Sequence, residues 1–144
     1  MYSVGILVAG GFGSDSFKVG KSVEVYIPKS GKRCSLSKLP EERYDSTLDT
    51  VAGVPILCGG HSQHSSKLTS CLQLTPVSAS GVWTKYATTR ESRRSHSSWI
   101  SSTGLVLMGG DYKSGRSSRL NYRSTEKVPS LTSGVGNFSL LQKV

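Results

Sequence analysis

With 144 residues, 35% of them hydrophobic and 19% charged, the chain is the size of one ordinary domain and too apolar for a disordered tail. Sixteen glycines and many serines argue against a helix bundle and for short strands joined by turns. The formal charge of +9 is uneven, because residues 84–127 hold nine Lys or Arg against Glu91, Asp111 and Glu126.

The first element in the chain is the apolar run Ile6-Leu7-Val8-Ala9, which ends in Gly10-Gly11. A short apolar run closed by two glycines reads as a strand buried on both faces, after which the chain bends past a crowded neighbour. A polar loop leads to a second strand, Ser22-Val23-Glu24-Val25-Tyr26, then Pro28, a turn at Gly31, and Cys34. Arg43 follows, with a Ser/Thr-rich strand candidate after it.

The same order then repeats. Ile56-Leu57-Cys58 runs into Gly59-Gly60, followed by a polar loop, the strand Thr69-Ser70-Cys71-Leu72-Gln73-Leu74, Pro76, Gly81 and Trp83. After Arg94 and His96 come Leu105-Val106-Leu107-Met108, Gly109-Gly110, a longer loop from Asp111 to Arg123, Ser124-Thr125-Glu126-Lys127-Val128, Pro129, Gly136 and Phe138. Arg43 and Arg94 stand 17 and 16 residues before the second glycine of the pair that follows each. Asp45 stands where the third unit has His96. One unit is thus four short strands that cannot cover their own faces, so the units must stack on one another. The units are residues 1–43, 44–94 and 95–144, and the first lacks the strand before its glycines, which leaves roughly eleven strands.

This pattern of apolar run, Gly-Gly, a strand carrying Tyr26 or Leu74, then Trp83 and Arg94 resembles the kelch repeat over essentially the whole chain. The resemblance implies an all-β fold: a partial kelch-type β-propeller, similar to that of galactose oxidase, of roughly three four-stranded antiparallel blades, the first incomplete. Closed propellers have ~4 to 8 blades. Residues 1–144 are therefore expected to form a single partial propeller that belongs to a larger one or completes its ring by homo-oligomerisation.

No cofactor or metal is expected. The glycine pairs have no Gly-Lys-Ser/Thr after them and no helix start, as a phosphate loop requires. His61 and His64, with His96 as a third ligand from a neighbouring blade, make a weak metal set on a polar loop, and read better as solvated loop histidines. No nucleophile elbow supports a catalytic triad. Function is instead expected in loops presented by a rigid scaffold: His61, His64 and Lys67 in one, and Tyr112, Lys113, Arg116 and Arg119 in another. The expected partner is a protein; the basic residues suit an acidic one better than nucleic acid. The alternative is the remnant of an extracellular carbohydrate-active or galactose-oxidase-like enzyme.

Three cysteines are too few and too irregularly spaced for a zinc site. If the strands bearing Cys58 and Cys71 form a hairpin centred near residues 64 and 65, the two thiols face each other; buried free thiols are the other reading. The order Cys34-Ser35-Leu36, Leu39-Pro40, Arg43, Cys58-Gly59-Gly60, Ser70-Cys71 is also similar to that of cysteine-bearing kelch proteins of extracellular type. There is no apolar run long enough to cross a membrane as a helix and no secretory signal of the usual form, so the compartment is left open.

Overall fold

The computed structural model describes residues 5–13, 18–65, 67–76, 79–101 and 104–110, and the backbone of 118–120 and 125–127. In chain order the strands are β1 (Ile6–Ala9), β2 (Phe12–Gly13), β3 (Lys18–Val19), β4 (Val23–Ile27), β5 (Lys32–Ser35), β6 (Thr47–Val51), β7 (Val54–Cys58), β8 (Ser70–Thr75), β9 (Val82–Thr88), β10 (Ser97–Ser101), β11 (Gly104–Met108), β12 (Ser118–Leu120) and β13 (Thr125–Lys127). The fold is all-β, and every pairing is antiparallel. The first sheet has the order β1-β4-β5, the second β6-β7-β8-β9, and the third β10-β11-β12-β13, with β2-β3 as a separate hairpin.

The sheets pack face to face because alternate residues of a strand point to opposite sides. On β7, Ile56 and Cys58 join Val51, Cys71, Leu105 and Leu107 in a layer between the second and third sheets. Leu57, between them in sequence, joins Val23, Leu39, Leu72, Leu74 and Trp83 in a layer between the first and second. Burial of each such side chain stabilises by about 1.5–3 kcal/mol, which is why the run must be apolar on both sides. The expectation of burial on both faces fails for the first run. Ile6 and Val8 are 53% and 55% exposed, because no sheet among the described residues covers their side of β1.

Hairpin turns follow local chemistry. Between β6 and β7, Ala52 and Gly53 both have positive φ, 49° and 81°, so the two-residue link turns with the hand that matches strand twist. Elsewhere two expectations need correction. The loop read between the first glycine pair and the second strand contains the β2-β3 hairpin. In the third unit, β12 lies within the stretch from Asp111 to Arg123, so the run near Ser124–Val128 holds the fourth strand of its sheet and not the third. Short polar strands such as Ser-Arg-Leu lack the alternation that marks a strand in sequence.

The repeat spacing also changes. The buried arginines are Arg43 and Arg93, not Arg94. Each stands 16 residues before the first glycine of the next pair, and its guanidinium donates to that glycine's carbonyl: Arg43 Nη1 to Gly59 O at 3.1 Å, Arg93 Nη1 to Gly109 O at 2.9 Å. The frame is therefore 50 residues here, which pairs Asp45 with Ser95 and Ser46 with His96, not Asp45 with His96.

Candidate functional site

The diglycines organise one rim of the molecule. All six of their residues have positive φ, which side chains rarely tolerate. A Cβ on Gly59 would meet the Arg93 carbonyl oxygen at 2.6 Å, so glycine is also required there for close approach. The amide of the second glycine donates to an arginine carbonyl from the next linker: Gly11 N to Arg43 O at 2.9 Å and Gly60 N to Arg93 O at 2.7 Å. Each arginine thus holds the preceding glycine pair with its backbone and the following pair with its side chain.

Burying a guanidinium demands a counter-charge and hydrogen bonds. Arg43 has both: Glu41 pairs with its Nη2, and Nη1 and Nη2 also donate to Ser70 O (3.2 Å) and Ser70 Oγ (2.9 Å). Burial pulls the guanidinium below its ordinary value, and Glu41 opposes that shift. Arg93 pairs with Glu91 Oε2 at 3.2 Å. Sequence reading missed both acids, although Glu41-Glu42-Arg43 and Glu91-Ser92-Arg93 repeat at the same 50-residue step as the arginines.

On this frame sits a cluster of aromatic and charged groups. The Phe12 ring, 53% exposed, lies 5.4 Å from that of Tyr44, which lies 4.9 Å from the His61 ring. Tyr44 and His61 also exchange two backbone hydrogen bonds, of 3.0 and 2.8 Å, which fix the stack. Beside it, Glu42 bridges Lys21 Nζ and His64 Nε2, each at 3.4 Å. A hydrogen bond from its own backbone and the Lys21 ammonium hold the Glu42 carboxyl below its usual value.

The sequence-predicted loop residues therefore separate. His64 is solvated, with 85% of its side chain exposed. His61 is not, because its ring is sandwiched against Tyr44 and its Nδ1 is buried without a hydrogen-bond partner. Lys67 is half-buried in the same loop. Tyr112, Lys113 and Arg116 lie outside the described residues, and Arg119 lies on β12 instead of in a loop. His96 is buried in the seam between β6 and β10, its Nε2 2.9 Å from Thr47 Oγ1. Among the described residues no group of three His, Cys, Asp or Glu could hold a metal ion. Phe12, Lys21, Glu42 and Tyr44 are not legible as site residues, since they come from three separate segments and the stack exists only once those segments pack.

Cys58 and Cys71 face each other in register on β7 and β8, with Cα atoms 4.1 Å apart, and are joined in a disulfide. The crosslink closes the base of the loop that carries His61, His64 and Lys67. Cys34 is exposed on β5 as a free thiol.

No protein-family model matches the chain, and no curated protein matches it. Among solved structures it is similar to one titled "Structure of YjhT", with a TM-score of 0.72 and 13% sequence identity over 85% of this chain. The chain spans 42% of that protein's length. At this identity the likeness is one of fold alone, and that fold is propeller-like.

Proposed function

We propose that the chain is a non-enzymatic interaction module, part of a kelch-type β-propeller of about three blades, which holds a protein partner on its diglycine rim. The observation that carries this reading is the Phe12-Tyr44-His61 stack, with His64 and Lys21 around Glu42, on a frame stiffened by buried arginines and a disulfide. An aromatic anchor at the centre of a charged rim is the arrangement that protein interfaces use. A net charge of +9 favours an acidic partner. The buried disulfide favours an oxidising compartment. Three sheets are fewer than the ~4 to 8 of a closed ring, so further sheets complete it, from a longer chain or from other copies.

The test is capture of a partner from an extract of the source cells, quantified for the wild type, Phe12→Ser, His64→Ala and, on the outer strand β9, Lys85→Ala. Capture should survive Lys85→Ala and fall at least tenfold with Phe12→Ser. Equal capture by all four chains removes the rim from consideration. Stoichiometric copper in the purified protein would replace this reading with the oxidase-like one.

A further inference from the structure

His96, which leads into β10, is enclosed between two glycine pairs and is 7% exposed. A Cβ on Gly59, after β7, would meet its Cε1 at 2.8 Å, and a Cβ on Gly110, after β11, would meet its Cβ at 2.9 Å. Its Nε2 lies 2.9 Å from Thr47 Oγ1 on β6, and its Nδ1 is buried with no hydrogen-bond partner among the described residues. The preceding linker has Ser46 at this repeat position. There the hydroxyl donates to the Gly59 carbonyl at 3.1 Å and has no charge to gain.

Among the described residues no acid meets the ring. Arg93, on the same linker, acts on it with a positive charge and is itself paired with Glu91. Asp45, in the linker that leads into β6, faces Ser95 Oγ at 3.1 Å. Asp49, on the face of β6 that carries Thr47, leaves Nδ1 unpartnered, and its own Oδ2 is buried without a partner too. The glycine pairs bring only backbone. A second proton on the imidazole would therefore create an N–H with no acceptor, in a buried space that already holds the Arg93 charge. Burial first, and then Arg93, lower the ring's pKa to about 4, against ~6.5 in water. The neutral ring is the form that fits, so acid favours any state in which the ring reaches water.

We propose that His96 is an acid-operated latch: a proton on its ring frees the linker that carries it from the glycine-pair loop of the second sheet, while the seam at Ser46 stays closed. That linker is tied to the loop by Gly60 N donating to Arg93 O at 2.7 Å and Arg93 N donating to Leu68 O at 3.3 Å. The same loop carries His61 of the ring stack, so release of the latch loosens the rim. Such local opening is a lower-energy event than unfolding and engages only the contacts it breaks. Loss of a bound partner in acid is the expected consequence, and that step alone rests on reading the rim as a binding surface.

The first seam supplies an internal control, because Gly11 N donates to Arg43 O at 2.9 Å as Gly60 N donates to Arg93 O. Hydrogen exchange of the two glycine amides is followed by NMR on the full chain at pH 7 and pH 5, corrected for intrinsic exchange chemistry. Protection at Gly60 should fall about 20-fold between these values, and protection at Gly11 should hold. In His96→Gln, which keeps a polar partner for Thr47 and cannot titrate, Gly60 should behave as Gly11 does. If that variant does not fold, the imidazole signals of the wild type decide: a His96 ring that titrates below about pH 5 supports the latch, and one that titrates near ~6.5 overturns it. Equal losses at Gly11 and Gly60, or an acid response at Gly60 that persists in His96→Gln, overturn it as well. No partner enters the measurement, so its failure is distinct from failure of the rim reading.

Discussion

The first and second sheets start from the same kind of residue run and finish in different surroundings. β7 is covered on both faces, capped by β6 and tied to β8 by the Cys58–Cys71 disulfide. Among the described residues β1 packs one face, through Leu7 and Ala9, and leaves Ile6 and Val8 exposed. Val8 and Leu57 are both branched aliphatic residues one step before the last residue ahead of a glycine pair, yet one is in solvent and the other is in the core. Burial in this fold is therefore a property of the neighbouring sheet, and a repeat position states only which way a side chain points.

The sharpest way to break the comparison is a matched truncation. Leu57→Ala should cost about 2–5 kcal/mol through lost burial and the cavity left behind. Val8→Ala, at an exposed position, should stay within about 0.5 kcal/mol. Urea unfolding of both variants measures the difference, and equal losses would mean that β1 is covered in solution. Replacing both Cys58 and Cys71 by alanine should cost about 2–4 kcal/mol, since the crosslink shortens the unfolded chain's freedom across a 13-residue separation. Hydrogen exchange should then show faster opening of β7 and β8 while β4 and β5 hold, which locates the loss in the second sheet.

The seams differ as well, and pH sharpens that contrast. Between the second and third sheets His96 is buried against Thr47, where the preceding linker has Ser46. Burial first, and then the Arg93 charge, lower the His96 pKa to about 4. An unfolded histidine titrates near ~6.5, so between these values the unfolded state binds the extra proton and stability falls as pH falls. The stability that neutral His96 contributes is complete above about pH 6.5 and is lost by about pH 4, an effect on the order of 3 kcal/mol. Urea midpoints of the wild type and His96→Gln at pH 7 and pH 4 read this directly: the wild type's advantage should narrow at the lower pH. A gap that does not move with pH would place the histidine's titration outside this seam.

The smallest effect lies in the turn between β6 and β7. Ala52 sits at φ 49°, where an L residue is strained by about 1 kcal/mol. Ala52→Gly should relieve about that much strain, raising the melting temperature by a few degrees, and Ala52→Val should lower it.

Much of the architecture is readable along the chain because the glycine pairs need their positive φ and the apolar runs need two covered faces. Those requirements are local, so they recur at 49- and 50-residue steps. The disulfide was half legible, since two cysteines about a hairpin's reach apart can also remain thiols. Arg93 and Arg94 cannot be told apart in sequence, because adjacent arginines differ only in which one reaches the Gly109 carbonyl. The β2-β3 hairpin and β12 are not legible in the sequence because strands of two or three residues are too short to show a periodicity.

By itself the sequence determined the all-β class, the spacing of the glycine pairs and the need for stacking, all of which follow from backbone conformation and apolar patterning. Only the tertiary structure decided which arginine is buried, that Glu41 and Glu91 neutralise the pair, and that Phe12, Tyr44 and His61 meet. It also decided that Val8 is exposed where Leu57 is buried. The physical reason is range: φ preferences and alternation act within a few residues, whereas charge pairing, ring stacking and the covering of a sheet face depend on segments that meet only when separate sheets pack together.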